Sequence, residues 1–156
     1  MKNFLIFFNF IFILFSNTAY ALEKDKWTFV KDDEYCYIGS IPIETDLSKE
    51  KKRDDTYIVV YTMIGNQDAA IQIDAGYNYK LNKDIIVTID STNYKFYTTE
   101  DVSDSAWTND DDKVIFAMKK GLELMISGES SRGTITNDTY TLKGFTSAFN
   151  QLAEDC

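Results

Sequence analysis

The sequence of 156 residues contains no histidine and only two cysteines. The absence of histidine excludes a Ser-His-Asp triad, a Cys-His nucleophile pair and every metal site that needs an imidazole ligand. Two cysteines are too few for the thiolate sites that hold zinc or iron–sulfur clusters. Most hydrolase chemistry is thereby excluded, and we expect neither a cofactor nor a metal centre.

Basic residues are scarce relative to acidic ones. Sixteen lysines and arginines stand against 25 aspartates and glutamates, which gives a formal net charge of −9 at pH 7. The negative electrostatic potential of such a protein repels phosphate backbones and bare anionic membrane surfaces. We therefore expect no nucleic-acid partner.

Long apolar runs are also missing, except at the N-terminus. After Lys2, residues 4–15 are apolar with one exception, a stretch shorter than the roughly 20 residues of a spanning helix. Ala19-Tyr20-Ala21 then has the small-x-small pattern of a signal peptidase site. The pattern predicts a Sec signal peptide over residues 1–21, cleaved before Leu22, and a periplasmic or secreted protein with no membrane span after cleavage. A membrane anchor is the alternative.

The remaining residues, 22–156, have the size of a single domain. Two cysteines in an oxidising compartment predict one disulfide, between Cys36 and Cys156, with two free thiols as the alternative. The bridge would close a loop of 121 residues, counting both ends, and loop-closure entropy for that length is worth about 4–5 kcal/mol. It would pin the C-terminus to an N-terminal strand.

Short β-branched and aromatic runs recur along the mature region, with turn residues between them. Residues 57–64 are predicted to form a central strand buried on both faces, and residues 85–89 and 94–98 a hairpin. The charged stretch 44–55 is predicted to be a mobile surface loop. Many short strands at regular spacing indicate a mainly β protein of the β-sandwich class. The other predicted strands are 27–30, 35–41, 69–74, 122–126 and 134–142.

Two segments have helical periodicity instead. Residues 114–121 place apolar side chains on one face, follow the acidic run Asp110-Asp111-Asp112 and end in lysines, which predicts a helix of about two turns. Phe145, Ala148, Phe149 and Leu152 have the spacing of an amphipathic closing helix. These two short helices are expected to cover the ends or edges of the sandwich.

Further signals are spread over the whole mature region, and the most specific of them lie in its last third. They are Trp27, Cys36-Tyr37-Ile38, residues 74–79, residues 105–107, residues 114–121, and residues 130–134 with 138–148, ending on Cys156. Together they resemble the invasion-associated locus B family of proteobacterial exported proteins. The resemblance implies an immunoglobulin-like β-sandwich, a periplasmic or surface location and, in pathogenic members, an association with host-cell invasion. It implies no known reaction.

Four side chains are candidate binding residues: Asp104, Trp107, Asp110 and Arg132. The two aspartates belong to the acidic segment 100–112, whose carboxylates are suitable ligands for calcium. The segment lacks the spacing and central glycine of an EF-hand, which favours helix capping and a solvated acidic loop. Trp107 either packs in the core or anchors a partner. Arg132 either pairs with a nearby acid in a tight hairpin or binds a carboxylate or phosphate.

Two functions follow from these features. The first is a non-catalytic periplasmic or cell-surface protein that contacts an unknown envelope or host protein, as a monomer or weak oligomer. The alternative is a small-ligand or calcium-binding periplasmic protein that uses residues 100–112. No carboxylate pair has a spacing typical of glycoside hydrolysis. Exposed charges of the acidic segment, or of the basic loop near Lys51 and Arg53, are expected to steer a partner.

Overall fold

The computed structural model describes residues 21–156, which form ten β-strands and two α-helices. The predicted signal peptide lies outside the described residues, apart from its last residue. No helix in the described range is long and apolar enough to cross a membrane. The elements are β1 Thr28–Lys31, β2 Tyr35–Ser40, β3 Glu44–Thr45, β4 Tyr57–Met63, β5 Ala70–Asp74, β6 Ile85–Ile89, β7 Thr92–Phe96, β8 Ser105–Ala106, α1 Asp111–Lys120, β9 Glu123–Glu129, β10 Ile135–Thr141 and α2 Phe145–Asp155.

The strands form two antiparallel sheets of five strands each. Sheet A has the order β1-β2-β4-β5-β8, and sheet B has the order β3-β10-β9-β6-β7. Alternate side chains of both sheets enter one apolar core, to which sheet A contributes Ile38, Val60 and Ile71 and sheet B contributes Val87 and Ile126. The predicted fold class, a mainly β sandwich with two short helices, is confirmed.

Strand β4 lies in the middle of sheet A, as predicted, but only one of its faces is buried. Ile58 and Val60 point into the core, whereas Tyr57, Val59 and Tyr61 are half-buried. The prediction of burial on both faces is wrong because sheet B covers only the inner face of sheet A. The outer face of β4 is left to the solvent.

The β6–β7 hairpin is confirmed, and its connection is tighter than predicted. Ile89 pairs directly with Thr92, so that only Asp90 and Ser91 join the two strands. Both residues have positive φ, 45° and 67°, as a two-residue type I′ turn requires. Aspartate tolerates this region because its side chain can bond to the nearby backbone.

Helix α1 is longer than the two turns predicted and is fixed to sheet A by its own first residue. The Ile71 N–H of β5 donates a hydrogen bond to the Asp111 carboxylate over 2.8 Å. This carboxylate satisfies a backbone donor at a strand edge that the short β8 does not cover. The acidic start of α1 therefore serves both the helix terminus and the sheet edge.

Helix α2 closes the sandwich, as its apolar spacing predicts. Phe145, Ala148 and Leu152 are buried, and the rings of Phe145 and Trp27 pack edge to face with centroids 4.8 Å apart. Just past the helix, Cys156 forms a disulfide with Cys36 of β2, with the two Cα atoms 5.8 Å apart. The C-terminus is thus tied to the second strand of sheet A.

The charged stretch 44–55 is not a mobile loop over its whole length. Glu44 and Thr45 form β3 and pair with β10. Near the other end, the Arg53 guanidinium donates to both Asp138 carboxylate oxygens over 2.6 and 2.8 Å. The two side chains are only 11% and 3% exposed. The loop prediction is therefore wrong at both ends. The first end adds a strand to sheet B, and near the other end Arg53 supplies the cation that the buried Asp138 carboxylate requires.

Gly76 occupies a position that a larger residue cannot take without strain. Its φ is +70°, and a β-carbon there would overlap the Asp54 carbonyl oxygen. The Gly76 N–H donates to Asp74 Oδ1 over 2.8 Å, and its carbonyl accepts from the Asp54 N–H over 3.0 Å. The end of β5 and the charged stretch are held together here by backbone contact.

Gly76→Ala should lower the free energy of unfolding by about 2–3 kcal/mol, since it adds a steric overlap to the cost of a positive φ. Gly65→Ala is the matched control, because Gly65 has a φ of +81° but a β-carbon at that position would meet no atom within 4 Å. Urea denaturation of both variants measures the difference. Equal losses would show that the Asp54 contact adds nothing.

Candidate functional site

The outer faces of the two sheets differ in chemistry. In an antiparallel sheet with one solvated face, the residues facing water are usually polar. Sheet B largely follows this rule, with Asn93, Lys95, Ser127, Asn137 and Thr139 facing outward. Sheet A departs from it along β2 and β4. Its outward residues there, named here the tyrosine face, are Tyr35, Tyr37, Tyr57, Val59, Tyr61 and Met63.

The register of the strands brings the tyrosine face together. Tyr35 lies opposite Met63, and Tyr37 lies opposite Tyr61. The rings of Tyr35 and Tyr37 stack with centroids 6.2 Å apart and planes inclined by 26°. Aromatic pairs at this separation hold one another in place. The result is one apolar surface across two strands, in which Tyr35 is 38% and Met63 is 48% exposed.

The tyrosine face is the floor of a groove with a volume of about 990 Å³. One wall is the segment 41–43, where the chain leaves sheet A for β3. Beside this segment lies Leu22, which packs directly on β2 because Gly39 has no side chain; a β-carbon there would lie 2.9 Å from Leu22 Cδ2. A volume of this size is at the upper end of the range of about 300–1,000 Å³ typical of ligand sites.

The groove is negatively charged at one end. Glu44, Asp54 and Asp55 line it near Tyr57 and are exposed. In the described part of the chain, none of the three carboxylates takes part in a salt bridge. Lys24 is the only cation among the lining residues of this groove in the range 21–156. The lining of the groove therefore combines an apolar floor with a net negative charge.

The hydroxyls of Tyr37 and Tyr57 remain protonated near neutral pH. Burial raises the pKa of Tyr37, and the neighbouring Tyr35 and Asp32 raise it further. Burial also raises the pKa of Tyr57, with Asp74 as the next contribution. Neutral hydroxyls both donate and accept hydrogen bonds, so the face presents amphipathic rings.

A second groove brings together two of the four candidate residues. Asp104 and Arg132 both line a mixed-charge groove of about 1030 Å³ on the other side of Tyr57, together with Lys51 and Asp74. Burial raises the pKa of Asp74, and Asp104 adds to the shift, while the hydrogen bond from the Gly76 N–H opposes it.

Arg132 does not form the predicted pair with an acid. It lies exposed in the turn between β9 and β10, and within residues 21–156 it takes part in no salt bridge. The pairing prediction is wrong for the described part of the chain, because the exposed turn points the guanidinium to solvent rather than to a carboxylate within 4 Å. The cation of this region that is buried and paired is Arg53 instead.

Trp107 and Asp110 lie outside the lining of both grooves. Trp107 is half-buried, and its backbone pairs with that of Tyr97 through hydrogen bonds of 2.8 and 2.9 Å. The exposed Asp110 accepts a hydrogen bond from Lys113 Nζ over 2.6 Å. The structure therefore does not bring the four candidate residues together at one site.

The acidic segment 100–112 is spread over different environments. Asp104 lines the mixed-charge groove, Asp110 bonds to a lysine, and Asp111 accepts from the β5 backbone. Over the described residues, no three or more acidic or cysteine side chains are grouped so that they could hold a metal ion. This arrangement gives the calcium hypothesis no support.

Reasoning from the sequence did not identify the tyrosine face. Its signal is the i, i+2 spacing of tyrosines, at Tyr35 and Tyr37 and again, with one gap, at Tyr57 and Tyr61. That spacing places each pair on one face of its own strand. Only the pairing of β2 with β4, however, places the two sets side by side.

Comparison with known proteins agrees with the fold. The crystal structure of invasion associated protein B from Bartonella henselae superimposes with a TM-score of 0.56, over 81% of this chain and 90% of that one, at 15% sequence identity. This likeness concerns the fold alone. No curated protein matches the chain. The family model described as "Invasion associated locus B (IalB) protein" matches residues 31–153. The chain therefore belongs to the invasion associated locus B family.

Proposed function

We propose that this protein is an exported, non-catalytic member of its family that acts by protein contact through the tyrosine face. Export is supported by the signal-peptide pattern that ends at Ala21 and by the Cys36–Cys156 disulfide, a bond typical of oxidising compartments.

The observation that carries this proposal is the apolar outer face of sheet A. Contiguous exposed apolar surface is uncommon on soluble proteins and marks interaction sites. Tyrosine is enriched at such sites because its large rigid ring loses little conformational entropy on binding. The outer face of sheet B is more polar, with Met125 and Ile135 as scattered exposed apolar residues rather than a stacked aromatic cluster.

The chemistry of the groove suits contact rather than catalysis. A catalytic tyrosine needs a pKa near the working pH, whereas Tyr37 and Tyr57 have pKa values raised above that of free tyrosine. Their protonated hydroxyls can orient a partner by hydrogen bonding. The sequence provides no histidine to act as a base beside them.

Replacement of both Tyr35 and Tyr61 by serine should weaken capture of envelope or host proteins by about tenfold or more, since aromatic anchors are typical binding hot spots. The matched control is the double variant Met125→Ser, Ile135→Ser, which removes exposed apolar side chains from the outer face of sheet B. Quantitative capture by the purified exported protein, followed by mass spectrometry, gives the comparison.

The two variants must first be compared by thermal melting, so that loss of capture is not loss of fold. If variants of similar stability capture partners equally well, the tyrosine face is not the contact surface. The proposal would also be wrong if the sheet B variant alone lost its partners.

A further inference from the structure

We infer that the groove over the tyrosine face takes an extended, basic segment of a partner polypeptide. In this arrangement, apolar side chains of the segment pack on the tyrosines, and its lysine or arginine end lies against Glu44, Asp54 and Asp55. The inference rests on the proposed function and specifies the chemistry of the partner.

The shape of the groove fits an extended chain. Its floor follows β4 from Met63 to Tyr57, a run of seven residues, which spans about 20 Å at the rise of a β-strand. Residues 41–43 and Leu22 border this floor near the end of β2. An extended segment with alternate apolar side chains would place them along the tyrosines at matching spacing.

The charges of the groove select a cation. Three exposed carboxylates without a salt bridge in the described chain stand at the Tyr57 end. Lys24 and, after cleavage before Leu22, one α-amino group are the cations of the groove lining within residues 21–156, so the lining keeps a net negative charge. Arginine or lysine can bond to these carboxylates and also pack on tyrosine rings through cation–π contact. This asymmetry gives the bound segment a direction, with its basic end near Tyr57.

Other classes of ligand would fit either the tyrosine rings or the carboxylates of the groove, but not both. A neutral glycan could stack on the rings but would leave the carboxylates without a counter-charge. An anionic glycan or a phosphorylated ligand would be repelled by them. A second copy of this chain carries the same formal net charge of −9 and the same acidic groove end, so self-association would bring like charges together.

The test is fluorescence anisotropy of the purified exported protein with two labelled peptides. Both peptides alternate leucine and threonine; one ends in paired arginines and the other in paired glutamates. The arginine peptide should bind about tenfold or more tightly, because its basic end is attracted by the carboxylates of the groove whereas the glutamate end is repelled by them. The preference should shrink as salt is raised.

A charge-matched pair of variants locates the effect. Glu44→Gln, Asp54→Asn, Asp55→Asn removes the three carboxylates of the groove, whereas Glu100→Gln, Asp101→Asn, Glu123→Gln removes three exposed carboxylates elsewhere. The groove variant should lose most of the preference for the arginine peptide, and the control variant should keep it. Equal effects of the two variants would show that only net charge matters and would overturn the inference.

The remaining outcomes separate this inference from the proposed function. Three results would overturn the inference that the groove takes a basic segment. They are equal binding of the two peptides, binding of a neutral oligosaccharide in their place, and dimerisation in sedimentation experiments. If the Tyr35→Ser, Tyr61→Ser variant still lost its envelope or host partners, the tyrosine face would stand as the contact surface. If that variant kept both peptide and partners, the inference and the proposed function would fail together.

Discussion

Cys156→Ser should lower the free energy of unfolding by about 4–5 kcal/mol, because the bridge restrains a long loop in the unfolded chain. The bonded cysteines are 120 positions apart, and Cys36 is fully buried in β2. The substitution is made at Cys156 because a serine hydroxyl at Cys36 would be buried as well. Chemical denaturation of wild type and variant measures the loss.

Helix α2 should be the first part of the variant to open. Phe145 and Leu152 keep their apolar contacts without the bridge, but the end of the helix then relies mainly on hydrogen bonds such as that from Lys31 Nζ to the Asp155 carbonyl, 2.9 Å long and exposed. Hydrogen exchange should therefore accelerate in α2 before it does in β4. Wild-type protein treated with a reductant is the control and should behave as the variant does. An unchanged denaturation midpoint in both would contradict the assigned role of the bridge.

Arg53→Met should destabilise the fold by about 3–5 kcal/mol, because it leaves the Asp138 carboxylate buried without its cation. The guanidinium also donates to the Ala75 carbonyl over 3.2 Å and to Thr45 Oγ1 over 3.1 Å. Arg53 thus connects the charged stretch to β3, to β10 and to the segment after β5. Urea denaturation at neutral pH is the measurement.

The double variant Arg53→Met, Asp138→Leu distinguishes a buried charge from lost packing. Replacing both partners by apolar side chains removes the uncompensated carboxylate, so part of the lost stability should return. Lys51→Met is a matched control, since Lys51 is exposed, donates a hydrogen bond to Thr134 Oγ1 over 3.1 Å and, within residues 21–156, forms no salt bridge. If Arg53→Met and Lys51→Met cost the same, the Arg53–Asp138 pair is not structurally important.

Features encoded by local patterns could be predicted from the sequence. The β6–β7 hairpin and helix α2 follow from neighbouring residues, namely the turn at Asp90 and the spacing of Phe145 and Leu152. The order of strands within each sheet requires pairings between distant segments, which no local pattern specifies. The sandwich class could be predicted because short strands recur, whereas its register could not.

The errors have a common physical origin in long-range pairing. Arg53 and Asp138 are 85 positions apart, so the charged stretch resembles a solvated loop when read by itself. Arg132 lies next to hydroxyl residues in the sequence and forms no salt bridge with a carboxylate within residues 21–156. The tyrosine face depends on the alignment of Tyr37 with Tyr61 across β2 and β4. Contact surfaces of sandwich proteins are therefore difficult to identify before the strand register is known.

The most direct test of the tyrosine face as the contact surface is site-specific photocrosslinking in the native envelope. A photoreactive benzoylphenylalanine placed at Tyr61 preserves an aromatic ring on the outer face of sheet A. The same group at Met125 reports on the outer face of sheet B. We predict a defined protein adduct from position 61 and none from position 125. Adducts from position 125 alone, or equal adducts from both positions, would contradict this assignment.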